Sequence, residues 1–459
     1  MRFWPLQRIP QPASDLTGLR IRFAAPRFPT QLVMCDVKMA SFRTGFIRIK
    51  NRLAHCLGIL ILFSLIPYCG ALAQTTLTAQ EFADSIGVDV HFMYTDGGYA
   101  NLDKAVAALK YLGVIQVRDA LPNLNWESRA RYGLATSRGN KFDFFVYGSV
   151  DPAKSVERLD QFEVAFPEHI SAIEGPNEVN NWPVKYSGLT GTQAAAALQN
   201  ALFESTKADS LLKDIPVFNY TGFPDAGGKA DFTNIHPYPK HGTQPRDELV
   251  RDLETYSKLT PGKPVVITET GYPTLNVASD WGGVDERTQA LLTLNLLLDS
   301  ASLGIRRTYL YQLLDAYPDH SGVDVDKHLG LFDLAYNPKR AAQAIHNFLA
   351  VLDAAHSNVT SPPSYSIVGL PSSARTLGIR RTDGAVVIAI WNEPKIWDFD
   401  RSQPIDPPKT PITVKFSHRV DADCFEPSAS DSAVASENGV GEVDAELGAD
   451  PILVVAAER

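Results

Sequence analysis

The sequence predicts an α/β chain, a (β/α)8 TIM barrel followed by a C-terminal all-β sandwich domain, on three observations. Between residues 86 and 312 eight short apolar runs alternate with mostly amphipathic stretches, the rhythm of repeated βα units. Two of those runs end in glutamate: Ile173-Glu174-Gly175-Pro176-Asn177-Glu178 and Val265-Val266-Ile267-Thr268-Glu269-Thr270-Gly271-Tyr272-Pro273. The 91 residues from Glu178 to Glu269 equal about three βα units of roughly 30 residues, which places the pair at the ends of strands 4 and 7. Beyond Ala355 the long helical stretches stop, and Pro-rich turns separate alternating strands.

Barrel strands are expected at residues 86–92, 114–118, 142–147, 170–178, 215–220, 232–238, 264–269 and 305–312. Each is a short apolar run bounded by turn formers. Helices are expected at 102–112, 152–166, 192–212, 246–259, 285–302 and 338–355, most with a proline or a capping side chain near the start. The β module is read from strands at 365–369, 376–380, 385–392, 413–416 and 452–456, with 397–410 as a loop-like insertion. Its residues, 356–459, suit one small domain beside a barrel of 74–355.

Residues 1–73 stand apart. Positions 57–66 (LGILILFSLI) form a ten-residue apolar run preceded by Arg43, Arg48, Lys50 and Arg52 and followed by Ala71-Leu72-Ala73. That is the layout of a secretory signal peptide, since a membrane-spanning helix needs about 20 apolar residues. Met39 is the expected start, with an upstream extension before it, and the mature chain is expected to begin at Gln74 and to be exported without stable membrane insertion. Alternatives are an uncleaved anchor and lipidation at Cys69, the latter disfavoured by Tyr68 before it.

Cleavage there leaves Cys424 as the lone cysteine, so no intramolecular disulfide is expected, and a core of this size needs none. Ten of the 43 basic and two of the 52 acidic residues precede position 75, leaving 33 against 50. An excess of 17 negative charges disfavours nucleic acid and anionic membranes as partners.

Active sites of such barrels gather at the carboxyl ends of the strands, and those ends are polar here. They carry Arg118, Asn177, Glu178, His236, Tyr238, Glu269, Tyr311, Gln312 and Asp315. Cleavage of a glycosidic bond needs one carboxylic acid to protonate the leaving oxygen and one carboxylate to meet the oxocarbenium-like carbon, and Glu178 and Glu269 can supply both. Arg118 and Tyr238 are expected to keep Glu269 ionised, while Glu178 beside neutral Asn177 is expected to stay protonated until it acts. Glu174, four residues before Glu178, is read as a buried partner for a barrel cation. Tyr99, Trp182, Tyr186, Tyr272, Trp281 and Tyr317 lie in strand-end loops, and about half are expected to stack on sugar rings. Asp319, Asp324 and Asp326 lack the spacing of a calcium loop and are read as a solvated loop. No metal or cofactor is expected, since a phosphate loop, a Cys/His cluster and a Gly-x-Ser-x-Gly motif are all missing from the sequence.

Asn177-Glu178, His236-x-Tyr238 and Thr268-Glu269-Thr270-Gly271 resemble the site motifs of clan A glycoside hydrolases over roughly residues 85–355, family 39 most closely and family 5 next. His328-Leu329-Gly330-Leu331-Phe332-Asp333, with Asn337-Pro338-Lys339 after it, is similar to the turn into the last helix in that clan. The resemblance implies a retaining β-glycosidase acting on a polysaccharide or oligosaccharide, with Glu178 as acid/base and Glu269 as nucleophile. By the same resemblance Asn177 binds the sugar 2-hydroxyl, Tyr238 hydrogen-bonds the nucleophile, Arg118 holds it charged and His236 lines the floor. Where family 5 carries a Trp after strand 8 and a His after strand 3, this chain has Tyr311-Gln312 and Tyr147-Gly148. A transglycosylase remodelling cell-surface glucan would use the same residues. A non-catalytic carbohydrate-binding protein on the same fold is the reading from another class.

Overall fold

The computed structural model describes residues 77–458 except 223–226, 257, 259, 276–280 and 354–362, so the expected signal peptide, Met39 and Cys69 lie outside the described residues. Eight parallel strands form the barrel: β1 (Ile86–Asp89), β2 (Gln116–Ala120), β3 (Lys141–Phe145), β4 (Ile170–Glu174), β5 (Val217–Phe218), β6 (Thr233–Ile235), β7 (Val265–Thr270) and β8 (Thr308–Leu310). Their spatial order is β5-β4-β3-β2-β1-β8-β7-β6, and a parallel bridge from Phe218 to Phe232 closes the ring. All eight expected strands are present. Most stop short at the carboxyl end, because residues such as Asn177, Glu178, His236 and Tyr238 leave the ladder to line the mouth.

After the short helix Ala79–Asp84 that precedes β1, the helices are α1 (Leu102–Leu112), α2 (Trp126–Thr136), α3 (Pro152–Ala165), α4 (Gly191–Ala208), α5 (Arg246–Tyr256), α6 (Glu286–Ser302) and α7 (Arg340–Asp353). Local chemistry sets their ends. The Asn101 side chain accepts from the Lys104 N–H at the start of α1, and Gly113 closes it in the left-handed conformation. Asp151 caps α3 ahead of Pro152, and Asp285 caps α6. Helix α2 went unexpected because it is polar and weakly patterned; its clearest signal is the capping box between Asn125 and Ser128.

The C-terminal strands are β9 (Tyr365–Val368), β10 (Ala374–Arg380), β11 (Val386–Asn392), β12 (Thr410–Phe425), β13 (Ala435–Leu447) and β14 (Ile452–Glu458). They form one sheet, ordered β10-β11-β14-β12-β9 with β13 on β12, and Leu77–Thr78 joins β10 as a parallel edge. Thus the described strands of the expected all-β module are joined in a single doubled-over sheet. The cause lies in β12, which pairs with β9 through Thr413 to Phe416 and with β14 through Val420 to Phe425. A register shift against β13 separates those halves, and the folded sheet encloses Val386, Ile388, Ile390, Val414, Val420 and Val454. Strand β13 escaped notice because its 13 residues are mostly exposed and hydrophilic. Within the expected loop 397–410, Trp397–Asp398 pairs with Gln403–Pro404, and Trp397 is buried.

Barrel and sheet share apolar surface. Along β11, Val386, Ile388 and Ile390 face the core of the sheet, whereas Val387, Ala389 and Trp391 join the core of the barrel. Helix α6 is buried along nearly its whole length, and its polar Asn295 and Asp299 are used at the junction. The Asn295 amide donates to Gln244 Oε1 and to the Asn392 carbonyl, and Asp299 accepts from Arg246 and from the Trp391 indole. No described helix is long and apolar enough to cross a membrane.

Candidate active site

The turn after β4 delivers Glu178. Gly175 begins it with no room for a side chain, since a Cβ there would lie 2.8 Å from the Tyr220 nitrogen. Three residues on, Glu178 adopts φ 40°, the left-handed region that a glutamate rarely enters, and the Thr221 hydroxyl accepts its N–H at 2.9 Å. Its Oε2 accepts from the Asn181 amide at 2.8 Å, and His236 Nδ1 stands 3.3 Å from its Oε1. These contacts correct the expectation that Glu178 rests protonated. The His236 hydrogen bond, against partial burial, pulls its carboxyl down from 4.5 to about 2, with the His236 charge and Asn181 adding to the effect.

Glu269 ends β7 with both oxygens engaged. Arg118 Nη1 donates to Oε1 at 2.7 Å and the Tyr238 hydroxyl donates to Oε2 at 3.1 Å. One oxygen of each glutamate and His236 Nδ1 all lie within 4.8 Å of one another. The two carboxyls thus face each other across a short gap, with His236 beside both.

Arg118 is the hub beneath them. Fully buried on β2, it forks onto Glu174 through Nε (2.6 Å) and Nη2 (2.9 Å), reaches Asp89 and Glu269 through Nη1, and donates from Nη2 to Asn177 Oδ1 at 2.8 Å. Its cation also sits 4.7 Å from the centre of the Phe145 ring. Glu174 is thus the buried partner of a barrel cation, as its position implied. One guanidinium cannot hold three anions. Burial pushes Asp89 well above the carboxylate range, with Arg118 opposing and Glu269 adding to the shift. Asp89 Oδ2 is buried and has no hydrogen-bond partner among the described residues. Asn177 accepts with its oxygen from Arg118 and from Thr221, which leaves its NH2 free to donate into the mouth.

The other expected residues divide. His236 Nε2 meets the Thr268 hydroxyl at 2.9 Å, and Thr268 also meets Glu174 and Asn234, so the floor is one connected network. Tyr311 follows β8 through a cis peptide to Gln312, with its ring 5.7 Å from that of His91. Trp281 packs edge-on to Tyr238 at 5.1 Å, and Trp182 stands 59% exposed one turn beyond Glu178. Asp315 is outside the group: it binds Lys339 Nζ at 2.7 Å and braces the start of α7. Tyr99 and Tyr272 are core residues, fully buried. Asp319 is the hub of a loop, accepting from Ser321, from the Asp324 N–H and from His328. Sequence reasoning missed Asp89 and His91. The alternation Gly87-Val88-Asp89-Val90-His91 puts both on the face of β1 that points inward, and that was the available signal.

A closed (β/α)8 barrel with paired glutamates after strands 4 and 7 defines the class of architecture. Among solved structures, the chain is similar to a family 39 glycoside hydrolase from Bacteroides cellulosilyticus WH2 (TM-score 0.57, 13% identity, covering 83% of this chain and 82% of that one). It is also similar to the GH39 enzyme of Xanthomonas axonopodis pv. citri (0.56, 12%, 84% and 96%) and to a monomeric beta-xylosidase from Caulobacter crescentus CB15 (0.55, 12%, 84% and 97%). At these identities the likeness is one of fold, and it is the fold that the motifs suggested. No protein-family profile matches the sequence, and no curated protein does.

Proposed function

We propose that the protein is an exported retaining β-glycosidase that cleaves a polysaccharide or oligosaccharide by double displacement. The observation that carries this reading is the close approach of Glu178 and Glu269, one oxygen of each within 4.8 Å, at the ends of β4 and β7. Glu269, oriented by Arg118 and Tyr238, attacks the anomeric carbon and forms a glycosyl ester, while the leaving oxygen takes a proton from Glu178. Water then enters, Glu178 takes its proton, and the ester is cleaved with net retention. His236 Nδ1, 3.3 Å from Glu178 Oε1, is the group through which a proton can reach or leave that carboxyl. Asn177 offers its NH2 to the hydroxyl next to the reacting carbon.

The test is hydrolysis of a panel of aryl β-glycosides by the wild type and by Glu178→Gln and Glu269→Gln. Loss of about 10²–10⁴-fold or more in kcat for both variants is expected. Either variant keeping wild-type turnover on a glycoside that the parent cleaves would refute the assignment.

A further inference from the structure

Large aromatic side chains seldom stay exposed in a group unless something docks on them. Four do so around this mouth: Tyr94 (38% exposed), Tyr147 (46%), Trp182 (59%) and Trp281 (37%). They follow β1, β3, β4 and β7, so they flank the glutamates from more than one side of the ring. Contacts tie three of them to the chemistry. The backbone N–H of Trp182 donates to the backbone carbonyl of Glu178 at 2.9 Å, which fixes Trp182 on the same turn; Trp281 packs on Tyr238, which itself holds Glu269; and Tyr94 lies flat on His91, ring centres 4.5 Å apart and planes 10° apart. A single sugar between the glutamates could not reach rings on opposite sides. A chain could, since each pyranose presents a flat C–H face.

Charge limits the chain's chemistry. The turn Val325–Lys327 is tied to the end of β8, where the Gln312 amide donates to the Asp326 carbonyl at 3.2 Å, and desolvation raises the Asp326 carboxyl, with the negative charges of Asp324, Glu269 and Glu178 adding to the shift. Among the described residues, Arg118 is committed to its carboxylates and Lys327 to Asp324 at 3.0 Å, while Lys240 lies over the Trp281 ring at 5.1 Å. A uronate at the centre would meet three carboxylates.

We propose that the substrate is an uncharged polysaccharide running across the mouth and cut internally, with Trp182 stacking a sugar on the leaving-group side and Trp281 and Tyr94 holding sugars beyond it. Trp182 takes the leaving-group side because it rides on the turn of the acid that protonates that group. This rests on the glycosidase reading above.

The probes are soluble neutral β-glycans (laminarin, barley β-glucan, xylan and galactan) beside the matching β-glycosyl fluorides, whose leaving group fills no sugar site. Size-exclusion chromatography should show polymer length collapsing while few reducing ends appear. The polymer-to-fluoride ratio of kcat/KM should fall at least tenfold in both Trp182→Ala and Trp281→Ala, with folding checked by thermal melting. Monosaccharide release with polymer length preserved, or ratios within twofold of wild type in both variants, would overturn the groove while leaving the glycosidase reading intact. Hydrolysis of neither fluorides nor polymers would remove both.

Discussion

Arg118 concentrates more of the account than any other side chain. Its planar fork satisfies Glu174 bidentately and still reaches Asp89, Asn177 and Glu269, which a lysine cannot do from one nitrogen. Arg118→Met would strand Glu174, which has no solvent exposure, and should cost about 3–5 kcal/mol in urea unfolding together with the activity. At His236 the outcome is a pH effect. The His236 contact pulls the Glu178 carboxyl down from 4.5 to about 2, so His236→Gln should let it rise and move the alkaline limb of kcat/KM, where the acid loses its proton, to higher pH. An unmoved limb would assign the proton elsewhere. The six residues Arg118, Asn177, Glu178, His236, Tyr238 and Glu269 were legible because each sits at a polar strand end, where one-dimensional position implies a place in the mouth. The ionised state of Glu178 was not legible, because His236 approaches it across 58 residues of sequence and a side-chain distance decides the charge.

At the level of elements, the tight turn after β4 and the buried helix α6 carry the consequences. Gly175→Ala would drive a Cβ against the Tyr220 backbone, and the strain should reach Glu178, lowering stability by about 1–3 kcal/mol and reducing kcat. On α6, Asp299 meets Glu393 from the segment after β11, and both carboxyls are raised above their ordinary values. For Glu393 burial is the leading cause, followed by its hydrogen bond with Asp299, with Arg246 and Arg375 opposing and Tyr272 also facing the pair. A raised folded-state value means the contact stabilises fully below about pH 4.5, the unfolded reference, and loses that stabilisation as pH rises. Glu393→Gln should therefore flatten the fall of Tm with pH above 4.5; an unchanged slope would place the effect in other groups. Helices with strong caps and apolar spacing were readable from sequence, α1 to the residue. Polar α2 and β13 were not, because tertiary pairing supplies what their own patterning lacks.

Across the whole molecule, β11 makes barrel and sheet one structure, since alternate residues of a single strand complete two cores. Calorimetry should show one unfolding transition, and a chain truncated before Tyr365 should fail to fold, because Val387, Ala389 and Trp391 would leave the barrel's core. Two separate transitions would contradict the shared core. The barrel itself was legible from rhythm and from the spacing of the glutamates. The doubling of the sheet was not, because it depends on one long strand changing partners midway. The claim on which the rest depends is that Glu269 becomes covalently attached to sugar. Intact-mass and peptide mapping after incubation with activated 2-deoxy-2-fluoro-β-glycosides, chosen from those sugars whose parent glycosides are hydrolysed, tests it directly. One label per chain, on the peptide containing Glu269, is the predicted result. Turnover of the parent glycoside with the label on another residue would contradict it.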